Sequence, residues 1–326
     1  MQRILINHKI RSSAQEFADK LIKKDPDVDN DLFQLKSDLF QFQGTHLYDG
    51  YIDEIRADYP GILTAEPEQL VALAAKYKAM LTESELKAKV AYGTFATGRK
   101  AGQPRSKKFF ELIIDKMGYK NAREILVPII SDLGIKSCVY CNAQYAIGTK
   151  SGKGLYELDH LYPESLFPAL CVSFYNLQPC CASCNNSKRD KPLDFLMYTT
   201  DNTKLEPFHL LVNWKNYNPV FSYKSLSVDL IPNTVRDIPL KRVFEKYFSI
   251  HGVYEMHREI AEEALWKLNC YDRRYVEMFK RRYGPVFSKD ALYRFILGVR
   301  ADKENVFARP LSKLIHDLRE DMGIVL

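Results

Sequence analysis

Two CxxC pairs, Cys138-Val139-Tyr140-Cys141 and Cys181-Ala182-Ser183-Cys184, constrain this chain more than any other feature. Each pair lets two thiolates reach one tetrahedral ion, zinc above all. The 39 residues between the pairs are more than a simple zinc ribbon holds, so a further segment is inserted between the two knuckles. Cys180 adjoins the second pair and could compete as a ligand, but the spacing favours Cys181 and Cys184. Cys171 and Cys270 are isolated and read as core thiols. The opening MQRILINHKIRSSAQEF has no apolar run followed by a small-residue cleavage site. The expected compartment is therefore the cytoplasm, where clustered cysteines argue for metal rather than disulfides. No stretch approaches the ~20 apolar residues of a membrane span, so no membrane partner is expected.

Around this centre the pattern predicts a mainly α chain with a small mixed α+β module in mid-chain. The expected divisions are 1–97, a helical region; 98–136, a basic linker and helical lead-in; 137–195, the cysteine-bearing module; and 196–326, a second helical region. Ser13 to Glu16 fits a capping box before an amphipathic helix ending near Lys24. Residues 25–31 read as an acidic loop, and Pro67 to Leu81 as a helix. Residues 98–108, with two glycines, one proline, five basic residues and no acid, read as a connection or as a basic arm for phosphates. Two helices follow, closed by Gly118 and Gly134, with Pro128 inside the second. Short strands are expected around the turn 149–154, and helix dominates again from about 195, above all at 254–283 and 309–322. Trp214 and Trp266 read as core residues.

Between the knuckles lie Leu158-Asp159-His160 and Asn176. The second knuckle continues as Cys184-Asn185-Asn186-Ser187-Lys188. Singly these residues say little: Asp-His pairs are common, asparagine favours turns, and lysine is usually solvated. In this order, CVYC, LDH, YNLQP and CASCNNSK, the segment 137–192 resembles the HNH (ββα-metal) nucleases with a zinc-knuckle support. Zinc deaminases are excluded, since no H-x-E follows and position 183 is serine. A metalloprotease H-E-x-x-H is also absent.

The resemblance implies a β-hairpin and helix gripping a catalytic metal, held up by structural zinc on Cys138, Cys141, Cys181 and Cys184. It makes His160 the general base that deprotonates water. Asp159 and Asn185 become oxygen ligands for Mg²⁺ or Mn²⁺. Asn176 orients the loop that follows His160, and Lys188 stands where it can reach phosphate. Products would carry 5′-phosphate and 3′-hydroxyl ends.

Net charge fits a polyanionic partner. Residues 1–100 carry 14 Lys/Arg against 15 Asp/Glu, whereas 101–326 carry 33 against 26. Lys188, Arg189 and Lys191 bring positive charge to the module, and 272–282 (DRRYVEMFKRR) forms a basic helix face with an aromatic stripe that reads as packing. DNA is the expected partner. The helical surroundings look like those of stand-alone HNH nucleases of bacterial anti-phage defence, some of which act beside an ATPase. The alternative is a catalytically inactive, zinc-stabilised nucleic-acid-binding or scaffold protein.

Overall fold

Asn7, rather than Ser13, starts the first helix. Its side chain accepts a hydrogen bond from the Ile10 amide at 3.0 Å, and α1 runs His8–Lys24. The capping box expected at Ser13 therefore falls inside a helix whose N-cap stands six residues earlier, since asparagine caps as well as serine does. Ile10, Ala14, Phe17, Ala18 and Leu21 recur at helical spacing and form its buried face. Of the acidic run only 25–27 stays outside helix, because α2 (Val28–Gln43) begins at Val28. Helices α3 (Asp49–Thr64) and α4 (Pro67–Met80) follow, α4 with proline at its first position. The protein was studied as a computed structural model, which describes residues 2–149, 153–191, 193, 195–214, 223–271, 273–284 and 286–323.

The expected linker is instead one limb of a β-hairpin. After a short α5 (Glu83–Leu86), β2 (Lys89–Thr94) pairs antiparallel with β3 (Pro104–Lys108), with a bulge between Ala91 and Gly93. Val90 is buried, and β2 packs on α2. Helices α6 (Phe109–Lys116) and α7 (Tyr119–Asp132) meet at Gly118, which has φ +71°. A Cβ at Gly118 would lie 2.2 Å from Asp25 Oδ2, so glycine serves both the left-handed turn and the close approach.

In mid-chain, β4 (Ile147–Gly148) pairs with β5 (Gly154–Leu155) about the expected turn, whose residues 150–152 lie outside the described residues. Strand β6 (Glu157–His160) pairs antiparallel with β7 (Leu177–Cys180), and α8 (Ala182–Lys188) follows directly. The N-terminal strand β1 (Ile4–Leu5) then pairs in parallel with β8 (Tyr198–Thr199), fastening the chain's start beyond this segment. A hairpin of β9 (Phe208–Asn213) and β10 (Ser227–Pro232) precedes the C-terminal helices and was not expected from the sequence. Those helices are α9 (Ile238–Phe248), α10 (Ile250–Glu255), α11 (Arg258–Cys270), α12 (Arg273–Tyr283), α13 (Lys289–Leu297) and α14 (Ser312–Asp321).

The protein is thus mainly helical, with 57% helix and 14% strand in small sheets. One contiguous core runs from Ile6 to Leu318 and includes the first knuckle, so the helical regions and the middle segment share their apolar interior. Two expected core residues are not in it. Cys270 is exposed at the end of α11, and Trp266 on the same helix is 49% exposed. Trp214 is half-buried against the core. Tyr275 and Phe279 stack on each other, and Phe279 also meets Phe295. Among the described residues no helix is long and apolar enough to cross a membrane.

Candidate metal centre and adjoining cavity

The two knuckles converge. The sulfurs of Cys138, Cys141, Cys181 and Cys184 all lie within 4.8 Å of one another and are buried. The first knuckle is a tight turn closed by Asn142 N–H donating to the Cys138 carbonyl, with Asn142 at φ +53°. The Ala143 amide donates to Cys141 Sγ at 3.4 Å, and the Val139 amide donates to the Pro179 carbonyl, tying the knuckle to β7. The second knuckle places Cys181 at the N-cap of α8 and Cys184 on its first turn. Four buried sulfurs at this spacing fit a soft tetrahedral ion such as zinc, with no position left for a reactant. Cys180 stands beside this cluster and outside it; burial pushes its thiol pKa up.

The β6–β7–α8 unit that the second knuckle closes carries the other candidate residues. His160, at the end of β6, is nine-tenths buried. Its Nε2–H donates to the Cys171 carbonyl at 3.0 Å, which leaves Nδ1 as the lone-pair nitrogen. Nδ1 lies 3.4 Å from Glu164 Oε2, and the Tyr119 ring lies against the imidazole at 5.0 Å. Burial, with a smaller push from the Lys188 ammonium, lowers the His160 pKa to about 4 despite the Cys171 hydrogen bond. The ring is therefore neutral through the physiological range.

Asp159 is held from two sides. Tyr140 donates to its Oδ2 at 2.5 Å, and Lys188 Nζ approaches its carboxylate at 2.9 Å. Burial pushes the Asp159 pKa up, and these two partners work against that push. Lys188 also donates to the His160 carbonyl at 2.7 Å and is completely buried. The sequence places Lys188 toward phosphate; the structure turns it inward from the last turn of α8, where it compensates a buried carboxylate. Replacing Lys188 by methionine should accordingly destabilise the fold by roughly 3–5 kcal/mol, because a buried charge loses its partner. Urea unfolding reads this directly, whereas a phosphate-contacting lysine would alter nucleic-acid affinity and leave stability unchanged.

Asn176 is fully buried and faces the loop that joins β6 to β7. Its Oδ1 accepts from Tyr162 N–H at 2.8 Å, and its Nδ2 donates to the Leu170 carbonyl at 2.9 Å and to the Tyr162 carbonyl at 3.3 Å. With every polar atom of the amide engaged, it fixes the backbone shortly after His160 and immediately before His160's partner, Cys171.

A cavity of about 460 Å³ opens over this unit. Asp159, His160 and Glu164 line it together with Asn185, Asn186, Arg189 and Asp190 of the α8 segment, and Tyr119, Leu158 and Pro163 complete the wall. Arg189 is exposed at φ +50°, and Lys191 is exposed beside the Tyr247 ring. Glu164, part of this lining, was missed in the sequence. It stands four residues after His160, and the intervening Pro163 gave no helical signal to mark them as neighbours. Burial first, and then the negative charges of Asp190 and Asp159, push its pKa up. Tyr140 was missed as well, although it lies inside the first CxxC.

Two other features draw less chemistry. A larger cleft of about 770 Å³ lies between α1, the start of α4 and β8. Its arginines are committed, Arg11 to Glu66 at 2.7 Å and Arg3 to the Leu196 and Lys204 carbonyls. His209, Asp317 and Glu320 also approach one another, but Lys313 occupies Asp317 at 2.7 Å and Lys303 occupies Glu320 at 2.6 Å. Comparison of the chain with protein-family models, with curated proteins and with solved structures found no match.

Proposed function

We propose that this protein is a divalent-metal-dependent endonuclease of the HNH type, hydrolysing phosphodiester bonds in nucleic acid, DNA in the first instance. One observation carries the reading. A buried, neutral histidine is fixed at Nε2 by a backbone carbonyl, which leaves Nδ1 as its free nitrogen, and the residue lines a cavity together with oxygen-bearing side chains. That is the arrangement a general base needs: a lone pair available at neutral pH, in one tautomer, beside room for a reactant. The order strand, loop, strand, helix, with one zinc-type knuckle ahead of the strands and the other at the strand–helix junction, adds to it.

In this reading His160 Nδ1 takes the proton of the attacking water. The Cys171 carbonyl holds the ring, and Asn176 holds the loop bearing that carbonyl. The donor set around the cavity, Asp159 and Asn185 with Glu164 and Asp190 near them, is the hard oxygen chemistry that suits Mg²⁺ or Mn²⁺. A divalent cation there would offset charge on the phosphate and on the leaving 3′ oxygen. Arg189 and Lys191, exposed at the end of α8, supply backbone contacts. A place in anti-phage defence, alone or beside an ATPase, belongs to the same reading.

One observation favours a second reading. Asp159 is already engaged by Tyr140 and Lys188, so a cation would have to share its carboxylate with the Lys188 ammonium or displace it. A chain that never does so would be a zinc-stabilised scaffold without activity. Incubation with supercoiled plasmid separates the two. Nicking and linearisation that require added Mg²⁺ or Mn²⁺, at unchanged zinc content, are expected; intact plasmid under every metal would establish the scaffold.

A further inference from the structure

Between Glu85 and Glu111 the chain carries seven Lys/Arg and not one acid. Most of that stretch is the β2–β3 hairpin. Residues 94–106, thirteen in succession, are all exposed, so the distal part of the hairpin stands off the body. Its tip is ordered from within. Across the turn Phe95 N–H donates to the Gln103 carbonyl and Gly102 N–H donates to the Phe95 carbonyl, and Gly98 and Gly102 adopt φ +85° and +78°. Two strands of about six residues give an arm of roughly 20 Å.

Most of the cations on this arm are unspent. Lys107 is paired with Asp115 at the base. Lys89, Arg99, Lys100 and Arg105 have no ion pair among the described residues. Two of them are instead steadied by rings: the Arg105 guanidinium lies 5.0 Å from the Tyr92 centroid and 5.9 Å from that of Phe95, and Lys100 Nζ lies 5.9 Å from Phe95. Stacking holds a guanidinium plane at low entropy while leaving its N–H groups free for a bidentate acceptor. A folded protein ordinarily intersperses the two signs, so an acid-free projection costs repulsion unless a polyanion covers it.

We propose that the 89–108 hairpin is a nucleic-acid-binding arm that grips the phosphate backbone of duplex DNA through Arg99, Lys100 and Arg105. The choice of nucleic acid rests on the phosphodiesterase reading; the arm itself rests on its exposure and charge. A lipid surface fits less well, because Phe95 is the one large apolar side chain near the tip and too little apolar area is offered for insertion.

The test is binding, measured without cleavage. Protein carrying His160→Ala is titrated into a short fluorescein-labelled duplex from about 50 to 200 mM salt, with no added divalent metal. The triple variant Arg99→Ala, Lys100→Ala, Arg105→Ala is compared with a control on α1 and α4, Lys20→Ala, Lys23→Ala, Lys78→Ala. The arm variant should bind roughly tenfold or more weakly at the lowest salt, with its log–log salt slope shallower by about 2.7, and the gap should narrow as salt rises. The control should bind as the parent does. Equal affinity and slope for the arm variant would overturn the arm while leaving plasmid cleavage by the intact protein to judge the nuclease reading. Absence of any duplex binding, or retention on anionic vesicles through the same three residues in place of DNA, would overturn it too.

Discussion

His160→Ala is expected to abolish metal-dependent plasmid cleavage while leaving zinc content, far-UV circular dichroism and duplex affinity near those of the intact protein. A general base contributes roughly 10²–10⁴-fold to rate, and affinity comes from lysines and arginines on phosphates. The structure adds a pH signature that sequence reasoning would have placed elsewhere. An ordinary histidine would give a rate rising through pH 6–7. Here burial lowers the His160 pKa to about 4, so the neutral base is already formed at pH 5. The profile should climb with pH up to about 4 and run level from about 5 to 8. The same shift bears on stability. The folded pKa lies below the unfolded value near 6.5, so the fold favours neutral imidazole. That contribution is fully present above pH 6.5 and is lost as pH falls toward 4. His316, buried on α14 with a pKa likewise lowered to about 4, adds to the loss in the same window. Cleavage by His160→Ala at the intact protein's single-turnover rate would remove His160 from the chemistry. A rate inflecting near pH 6.5 would instead place the base in an open site.

What the sequence could disclose here was local. The CxxC spacing, the glycine stops at 118 and 134, and the segment from β6 through α8 are written in short runs of residues, and the four cysteines converge as that spacing requires. The hairpin at 89–108 escaped because glycines and lysines hide a two-residue period, leaving only the charge visible. The fate of Lys188 escaped for another reason. Nothing in CNNSK says whether the last lysine of a short helix turns outward or inward; that depends on Asp159, 29 residues earlier, and on Tyr140 beneath it. Glu164 beside His160, the β9–β10 hairpin and the exposure of Trp266 are likewise tertiary outcomes. They are set by what packs nearby, and a single sequence does not record it.

Replacing one knuckle cysteine, Cys141→Ser or Cys184→Ser, should have the largest structural effect of any single change. Structural zinc is worth about 10–16 kcal/mol of apparent binding free energy in zinc-finger peptides, as much as the roughly 5–15 kcal/mol that holds a typical domain folded. The loss would not stay local, because the first knuckle is also where the C-terminal helices attach. Tyr254 on α10 donates to the Cys141 carbonyl at 2.8 Å. Asn142 donates to Ser137 Oγ and to the Val306 carbonyl, and it accepts from the Lys313 amide at the start of α14. Val139, in turn, bonds β7. Without the ion the four buried sulfurs lose the cation that holds them as thiolates and draws them together, and the turn that organises β7, α10 and α14 loses its anchor. The expected result is one zinc per chain in natively purified protein, and insoluble or molten material for either variant, with far-UV signal outlasting near-UV signal. Cys180→Ala is the control: its thiol lies outside the cluster, so the variant should keep one zinc and lose only the small stability of a buried side chain. Elemental analysis finding no metal in the intact protein, or a Cys184→Ser variant that unfolds at the parent's midpoint, would show that the four sulfurs pack as an apolar cluster and hold nothing.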